Sequence, residues 1–395
     1  MRSFAGEYYK NLRAMYDYLG VQYHAQKFLF SFSRTTDLCS GAMHLRNEQL
    51  HFVHSSNNHH IPPVRPRGTQ LFAYALETAY LLVLYIYFSL CCFLIPPVPE
   101  TGKLPCESFA QYVHRIRLPM YFITNYLLPL MSSVATCSHQ ELLAFPASDL
   151  IDYKRVTTGQ PHYVVSDGVR EVQWKLSKHL DIRLGASVTT VQPEAHGLRL
   201  LWRQQKGGSE FEDQEELFDK VVLAVSPAIV GGIFEALRVL VARVPIKEVS
   251  SIVYTEELDQ YNDVFVTQDQ EGPKAEIINF RTRGGPSPRT ESRHRLPFGN
   301  TVTTCPLEPV EASKIVQEST FTRALRTPES RQICNAIFKS QNAGAMSEKL
   351  GRWKNGDQGV WLAGGWCWDG MVLLEGCIVS AMRVARDLDV VVPWQ

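Results

Sequence analysis

Hydrophobic and polar positions fall into distinct textures along the chain. Residues 6–20 set apolar and aromatic side chains at helical spacing and end on Gly20, as a helix with a glycine C-cap does. Residues 23–34 (YHAQKFLFSFSR) alternate in part, which predicts a strand. Residues 46–68 are polar and rich in His and Pro, which predicts a loop. Residues 71–95 (LFAYALETAYLLVLYIYFSLCCFLI) form a long apolar helix with Glu77 as its only charge, closed by Pro96, Pro97 and Pro99. Two further helical stretches follow within 105–142.

Beyond residue 160 the texture changes. Residues 162–180 read as a strand or turn entering a helix, and 181–202 as short alternating strands. Residues 203–217 form a polar, acidic hairpin tip. FDKVVLAVSP (218–227) is a continuous apolar run, the pattern of a central strand buried on both faces. Residues 281–300 (RTRGGPSPRTESRHRLPFGN) predict a basic, mobile loop. Residues 359–388 read as strand, glycine turn, loop and helix.

Composition narrows the class. The 395 residues are 45% hydrophobic and 20% charged, which fits a folded protein. Forty basic residues balance forty acidic ones, so no global field gathers phosphates, and nucleic acid is not an expected partner. The nine cysteines include no CxxC pair, and the amphipathic N-terminus is no signal peptide; both point to a reducing, intracellular setting, cytoplasmic or membrane-associated through 71–95. About 20 apolar residues span a bilayer, and Arg65 and Arg67 before the apolar run would hold its N-terminal flank in the cytoplasm. The competing reading is a helix buried in a soluble core or lying on a membrane surface.

No GxSxG, Walker A or HExxH pattern is present. His51, His54, His59 and His60 sit in the expected loop, where solvation is favoured over metal binding. Cys137, His139, Cys91 and Cys92 read as core or membrane-facing residues. No metal site is expected, and no catalytic residue is identified.

The chemistry is most legible near the C-terminus. VWLAGG sets a buried strand directly before Gly364 and Gly365, where a backbone without Cβ admits a ligand closely. The following helix starts between Met371 and Glu375, with Ile378, Met382 and Ala385 at helical spacing. Its N-terminus could stabilise a phosphate or the anion of a reduced flavin; an ordinary tight βα turn fits the same pattern.

LAGGWCWDGMVLLEGCIVSAMRVA resembles the C-terminal FAD motif of the flavin amine oxidase superfamily. The resemblance matches Gly364 to the glycine at the flavin pyrophosphate and ribityl, Glu375 and Gly376 to a Glu-Gly pair that opens the helix, and Ser380 and Ala381 to its Ser/small pair. Gly365 stands where many members carry an acidic residue. FDKVVLAVSPAIV resembles the superfamily strand ending in Ala-x-x-Pro, here Ala224 and Pro227, beside the cofactor. The preceding GASVTTV segment implies that Val188 contacts adenine through its backbone. FPASDLIDYKRV, followed by HYVVSDGVREVQWKL, resembles a subgroup of predicted NAD/FAD-binding proteins. By the same resemblance Trp366 and Trp368 line a substrate pocket or pack in the core, and Asp369 caps the following helix or lends polarity to the pocket. The family lysine near flavin N5 has no marked equivalent; Lys274 lies in a plausible region, but nothing in its local sequence marks it.

The superfamily opens with a GxGxxG βαβ unit. This sequence has no such pattern, and its first residues resemble a point well after that unit. Three explanations fit this: an upstream start, a partner supplying the unit, or a degenerate flavin-free relative. The expected fold class is α/β, an incomplete FAD/NAD(P)-binding Rossmann-like domain interleaved with an α+β substrate domain. Residues 1–160 and 236–350 would form the substrate domain, and 161–235 and 351–395 the cofactor domain. That interleaving argues against a span at 71–95, because it keeps both flanks in one body; attachment to one membrane face fits better. The expected function is FAD-dependent oxidation or desaturation of a small hydrophobic metabolite, in a biosynthetic setting, by hydride transfer to flavin. The alternative is a flavin-free scaffold or membrane-associated interaction protein.

Overall fold

The computed structural model describes residues 3–36, 47–55, 65–66, 68–101, 105–255, 276–296, 299–338 and 353–395. Lys274, His59 and His60 lie outside the described residues. The chain begins with β1 (Ser3–Ala5) and α1 (Lys10–Leu19), which ends on Gly20 in the left-handed conformation as the glycine C-cap predicts. β2 (Tyr23–Ala25) pairs with β5 (His162–Val165), which also pairs with β1, giving a small antiparallel sheet.

A seven-stranded sheet forms the larger layer. Its strands are β3 (Phe28–Thr36), β4 (Asn47–Ser55), β10 (Ile246–Thr255), β11 (Glu276–Arg283), β12 (Arg289–Arg295), β13 (Asn300–Thr304) and β14 (Ile315–Ala324), in the order β14-β10-β13-β12-β11-β3-β4. Only the β11–β3 pair is parallel among them. β3 and β11 lie on either side of the apolar helix in sequence, so one hydrogen-bonded sheet holds both flanks of α2 (Leu71–Leu94). A bilayer crossing by α2 would tear that sheet apart.

Helices α3 (Phe109–Arg115), α4 (Leu128–Ala135) and α5 (Ala147–Thr157) cover one face of the sheet together with α2. Phe32, Phe52 and Phe280 of the sheet share a core with Leu81, Phe88, Tyr112, Tyr126 and Leu150 of the helical layer. The inner face of α2 (Leu81, Leu84, Phe88, Cys91, Cys92) is buried. Its outer face leaves Leu71, Phe72, Leu76, Leu82, Val83, Ile86, Leu90, Phe93 and Leu94 exposed, an apolar surface that water hydrates poorly.

The second layer is smaller. α6 (Val169–Ser177) leads to the antiparallel strands β6 (Ala186–Glu194), β7 (Gly197–Gly207) and β8 (Glu210–Phe218). β9 (Val221–Leu223) pairs in parallel with β15 (Val360–Leu362). α7 (Pro227–Ile233), α8 (Pro328–Phe338) and the C-terminal α9 (Leu374–Asp387) complete this part. Val221, Leu223, Val360, Leu362, Ile333 and Trp366 form its core.

Three expectations are corrected. The segment read as a loop over 46–68 contains β4, whose Phe52 and Val53 are buried. The segment read as a basic loop over 281–300 is mostly the β11–β12 hairpin, turning at residues 284–288. One pair of its charges is buried: Arg281 and Glu291, each 1% exposed, form an ion pair, and Thr303 Oγ1 donates to Glu291 at 2.6 Å. β9 is buried on one face only, with Val222 44% exposed.

Candidate active site

The two cores meet at the glycine turn. Trp366 and Cys367 belong to the core around β9 and β15, whereas Met371 and Leu373 belong to the core of the helical layer, with Trp368 packed against it. Ligand sites concentrate at such junctions and at the carboxyl ends of parallel strands.

β9 and β15 run in register from Val221 opposite Val360 to Leu223 opposite Leu362, and the Ala363 N–H donates to the Leu223 carbonyl at 3.1 Å. Ala224 and Val225 therefore emerge beside Gly364 and Gly365. Gly364 adopts φ +145°, which strains any residue with a Cβ. Ser380, in the second turn of α9, accepts from the Gly364 N–H at 2.9 Å and donates to a neighbouring carbonyl. The motif serine thus pins the turn to the helix. Pro227 is buried at the first position of α7, where a missing N–H costs nothing.

Val188 lies on β6 opposite Trp202 and is 37% exposed. Its strand packs against α7, which follows the end of β9.

Glu375 is buried, and its carboxylate faces α1. It accepts from the Asn11 N–H at 3.1 Å, Asn11 Nδ2 at 2.6 Å and the Leu12 N–H at 3.0 Å. These are first-turn donors of α1, which no carbonyl of that helix can satisfy. Glu375 therefore joins α1 to α9.

The tryptophans divide. Trp366 is 4% exposed and donates from Nε1 to the Val225 carbonyl at 3.1 Å, tying the two strand ends together. Trp368 lies over the start of α9, its Nε1 donating to the Met371 carbonyl at 2.8 Å. A Cβ at Gly376 would come within 2.3 Å of Trp368 Nε1, and one at Gly370 within 2.5 Å of Cζ2. Gly376 thus makes room for this chain's own indole. Met371 is buried, and its carbonyl also accepts from the Tyr8 hydroxyl at 3.5 Å. Asp369 lies 3.7 Å from Arg383 Nη2 and does not cap α9, which starts after Leu373 without a side-chain cap.

Residues absent from the sequence reading hold this loop. Arg326, 2% exposed, donates to the carbonyls of Trp366 (3.2 Å), Trp368 (2.8 Å) and Gly370 (3.3 Å). Asp149 on α5 lies 3.7 Å from Arg326 Nε and also pairs with Arg331. Only the FPASDLIDYKRV segment hinted at this, since it puts Asp149 and Tyr153 four residues apart on one helix face.

An apolar cavity of about 550 Å³ lies between the sheet, α2, α4 and α5. Phe30, Phe32 and His54 line it from the sheet; Tyr85, Ile86, Phe88, Leu90 and Phe93 from α2; Met131 and Val134 from α4; and Tyr153, Lys154 and Thr157 from α5, with His162 at one wall. Tyr153 connects cavity and glycine turn. Its ring is 4.7 Å from Tyr8, centroid to centroid, and Tyr8 is 6.0 Å from Trp368. Burial pushes the Tyr153 phenol up to about 12 and raises Tyr8 further, so both stay neutral donors at ordinary pH. Burial holds His162 down at about 4, hence uncharged. His51 is a packed residue against Tyr126, likewise held at about 4, chiefly by burial.

The mixed α/β fold, with its parallel strand pair, packed helices and large, mainly antiparallel sheet, is similar to that of solved amine oxidase structures. Among solved structures the chain is similar to a CLA-producing fatty acid isomerase from P. acnes, with TM-score 0.53, 10% identity, and 98% of this chain and 86% of that one covered. It is similar to cyclohexylamine oxidase from Brevibacterium oxydans IH-35A, with TM-score 0.50, 10% identity, and 98% and 87% covered. A putrescine oxidase double mutant from a redesign of cofactor binding gives TM-score 0.51 and 12% identity, with 98% and 87% covered. No protein-family model and no curated protein sequence matches the chain.

FAD fits one half of this site as it stands. The strand ends keep Ala224, Val225, Gly364 and Gly365 accessible, so backbone there is open to a cofactor. At the helix end Trp368 fills the space beside Gly376, and a ring can lie there only after the indole moves.

Proposed function

We propose that this protein is an FAD-dependent oxidoreductase acting on a small apolar metabolite held in the cavity between sheet and α2. The observation that carries this reading is the aromatic path from that cavity through Tyr153 and Tyr8 to Trp368, at the end of the parallel strand pair. Bound FAD would supply a two-electron acceptor. Ala224, Pro227, Gly364 and Gly365 would hold it by backbone and close packing. The cavity walls exclude water, and the neutral hydroxyls of Tyr8 and Tyr153 orient a substrate beside the turn. The exposed apolar face of α2 would rest on a membrane surface, which fits a substrate that partitions into lipid.

The test is the visible absorption spectrum of the purified chain with and without added FAD. A flavin spectrum that survives gel filtration supports the reading. A colourless protein with no FAD uptake, under conditions where it is folded by circular dichroism, overturns it in favour of a flavin-free scaffold.

A further inference from the structure

Lys154 is an unusual lining residue for so apolar a cavity. Its ammonium has no hydrogen-bond or ion-pair partner among the described residues. The Cys92 thiol acts on it electrostatically, and burial keeps that thiol protonated by pushing it up to about 12. Arg155, the neighbouring cation, is already engaged by the Cys92 carbonyl and by Asp152 at 3.1 Å. Lys154 is half-buried, and burial lowers its pKa by disfavouring the charged form.

The rest of the cavity suits an alkyl chain. Phe30, Phe32, Phe88, Leu130 and Met131 offer carbon surface, and the α2 residues Leu90 and Phe93 line the cavity while remaining exposed outside. The cavity therefore opens beside the apolar face of α2. We propose that it binds a single-chain aliphatic carboxylate, with the chain between sheet and α2 and the carboxylate on Lys154. This deepens the reading of the cavity as the substrate site and names its substrate class. Ion pairing with a carboxylate restores what Lys154 loses on burial, whereas an amine headgroup would set two cations together.

Equilibrium binding of hexadecanoate, hexadecanol and hexadecylamine tests this, read by displacement of a fluorescent fatty acid from the full chain. The acid is expected to bind at least ten-fold more tightly than the alcohol, and the amine most weakly. Affinity should rise about three- to four-fold per added methylene across saturated acids until the cavity is filled. Lys154→Met should lower acid affinity at least ten-fold and leave the alcohol unchanged, while Lys154→Arg should retain acid binding. Retained alcohol binding shows that the Met variant is folded. Equal binding of acid and alcohol, tightest binding of the amine, or an unaltered Lys154→Met variant overturns the proposal. Flavin uptake is read separately by absorbance. Acid binding without FAD uptake rejects the flavin reading alone, and FAD uptake without acid preference rejects this inference alone.

Discussion

A Cβ on Gly376 would lie 2.3 Å from Trp368 Nε1 and 2.8 Å from the Gly365 carbonyl oxygen. In an exposed helix, Gly→Ala stabilises by up to about 1 kcal/mol. Here the added methyl must displace an indole held by the Met371 carbonyl or a backbone oxygen. Gly376→Ala is expected to destabilise by about 1–3 kcal/mol, read from urea unfolding. It should also shift tryptophan emission, and that shift should vanish in a Trp368→Phe background. Glu375 makes a second residue-scale prediction. Glu375→Ala leaves the first-turn N–H groups of α1 without their acceptor and should cost about 2–3 kcal/mol, against about 1 for Glu375→Gln, which keeps one oxygen acceptor. Parallel chemical denaturation of the two variants distinguishes this joint from a ligand contact, because a ligand contact would leave apo stability unchanged.

At the scale of elements, β12 shows how a strand can hide. RTESRHR has no apolar residue, yet Thr290, Glu291 and His294 are buried. Glu291 is held by Arg281, Thr303 and Arg293 Nε, the last at 3.1 Å, and Arg281 also reaches Glu308 at 3.3 Å. Removing Arg281 takes from Glu291 its fully buried counter-charge. Arg281→Met is expected to cost about 3–5 kcal/mol, and Arg281→Met with Glu291→Met distinctly less, by calorimetric melting of both. Equal losses would show that the pair stabilises the sheet by more than mutual neutralisation. Helix α2 is the converse case: its apolar pattern was plain, but pattern alone could not choose between spanning and packing. The β3–β11 pairing decides, since it holds both flanks in one sheet.

For the molecule as a whole, three histidines set the acid limit. His51, His139 and His162 are each held near 4 chiefly by burial, below the ordinary 6.5. A lowered histidine pKa means that the unfolded chain binds protons first. The stability from keeping these rings neutral is therefore complete above about pH 6.5 and is lost as pH falls toward 4. His139, 3% exposed and bonded to Thr290 Oγ1 at 2.8 Å, should account for up to about 3 kcal/mol of that loss. Urea midpoints between pH 7.5 and 4.5 should fall steeply, and His139→Gln should flatten the slope. A flat profile in the parent protein would show these rings to be solvated.

The sequence by itself determined α1 and its Gly20 cap, the alternating strands near 23–34 and 181–202, the apolar helix, and the strand–glycine–helix unit at the C-terminus. Each rests on local periodicity or on a backbone need that one residue type meets. The resemblance of its motifs also brought Ala224, Gly364 and Gly365 into one proposal, and the parallel pairing of β9 with β15 sets them side by side. Tertiary structure alone decided the rest. It turned Glu375 toward α1, split Trp366 from Trp368 between two cores, recruited Arg326 and Asp149 to the loop carbonyls, and built a cavity with Lys154 on its wall. Those roles depend on partners tens to hundreds of residues away, where a charged or aromatic side chain finds its counterpart through packing that no local pattern encodes.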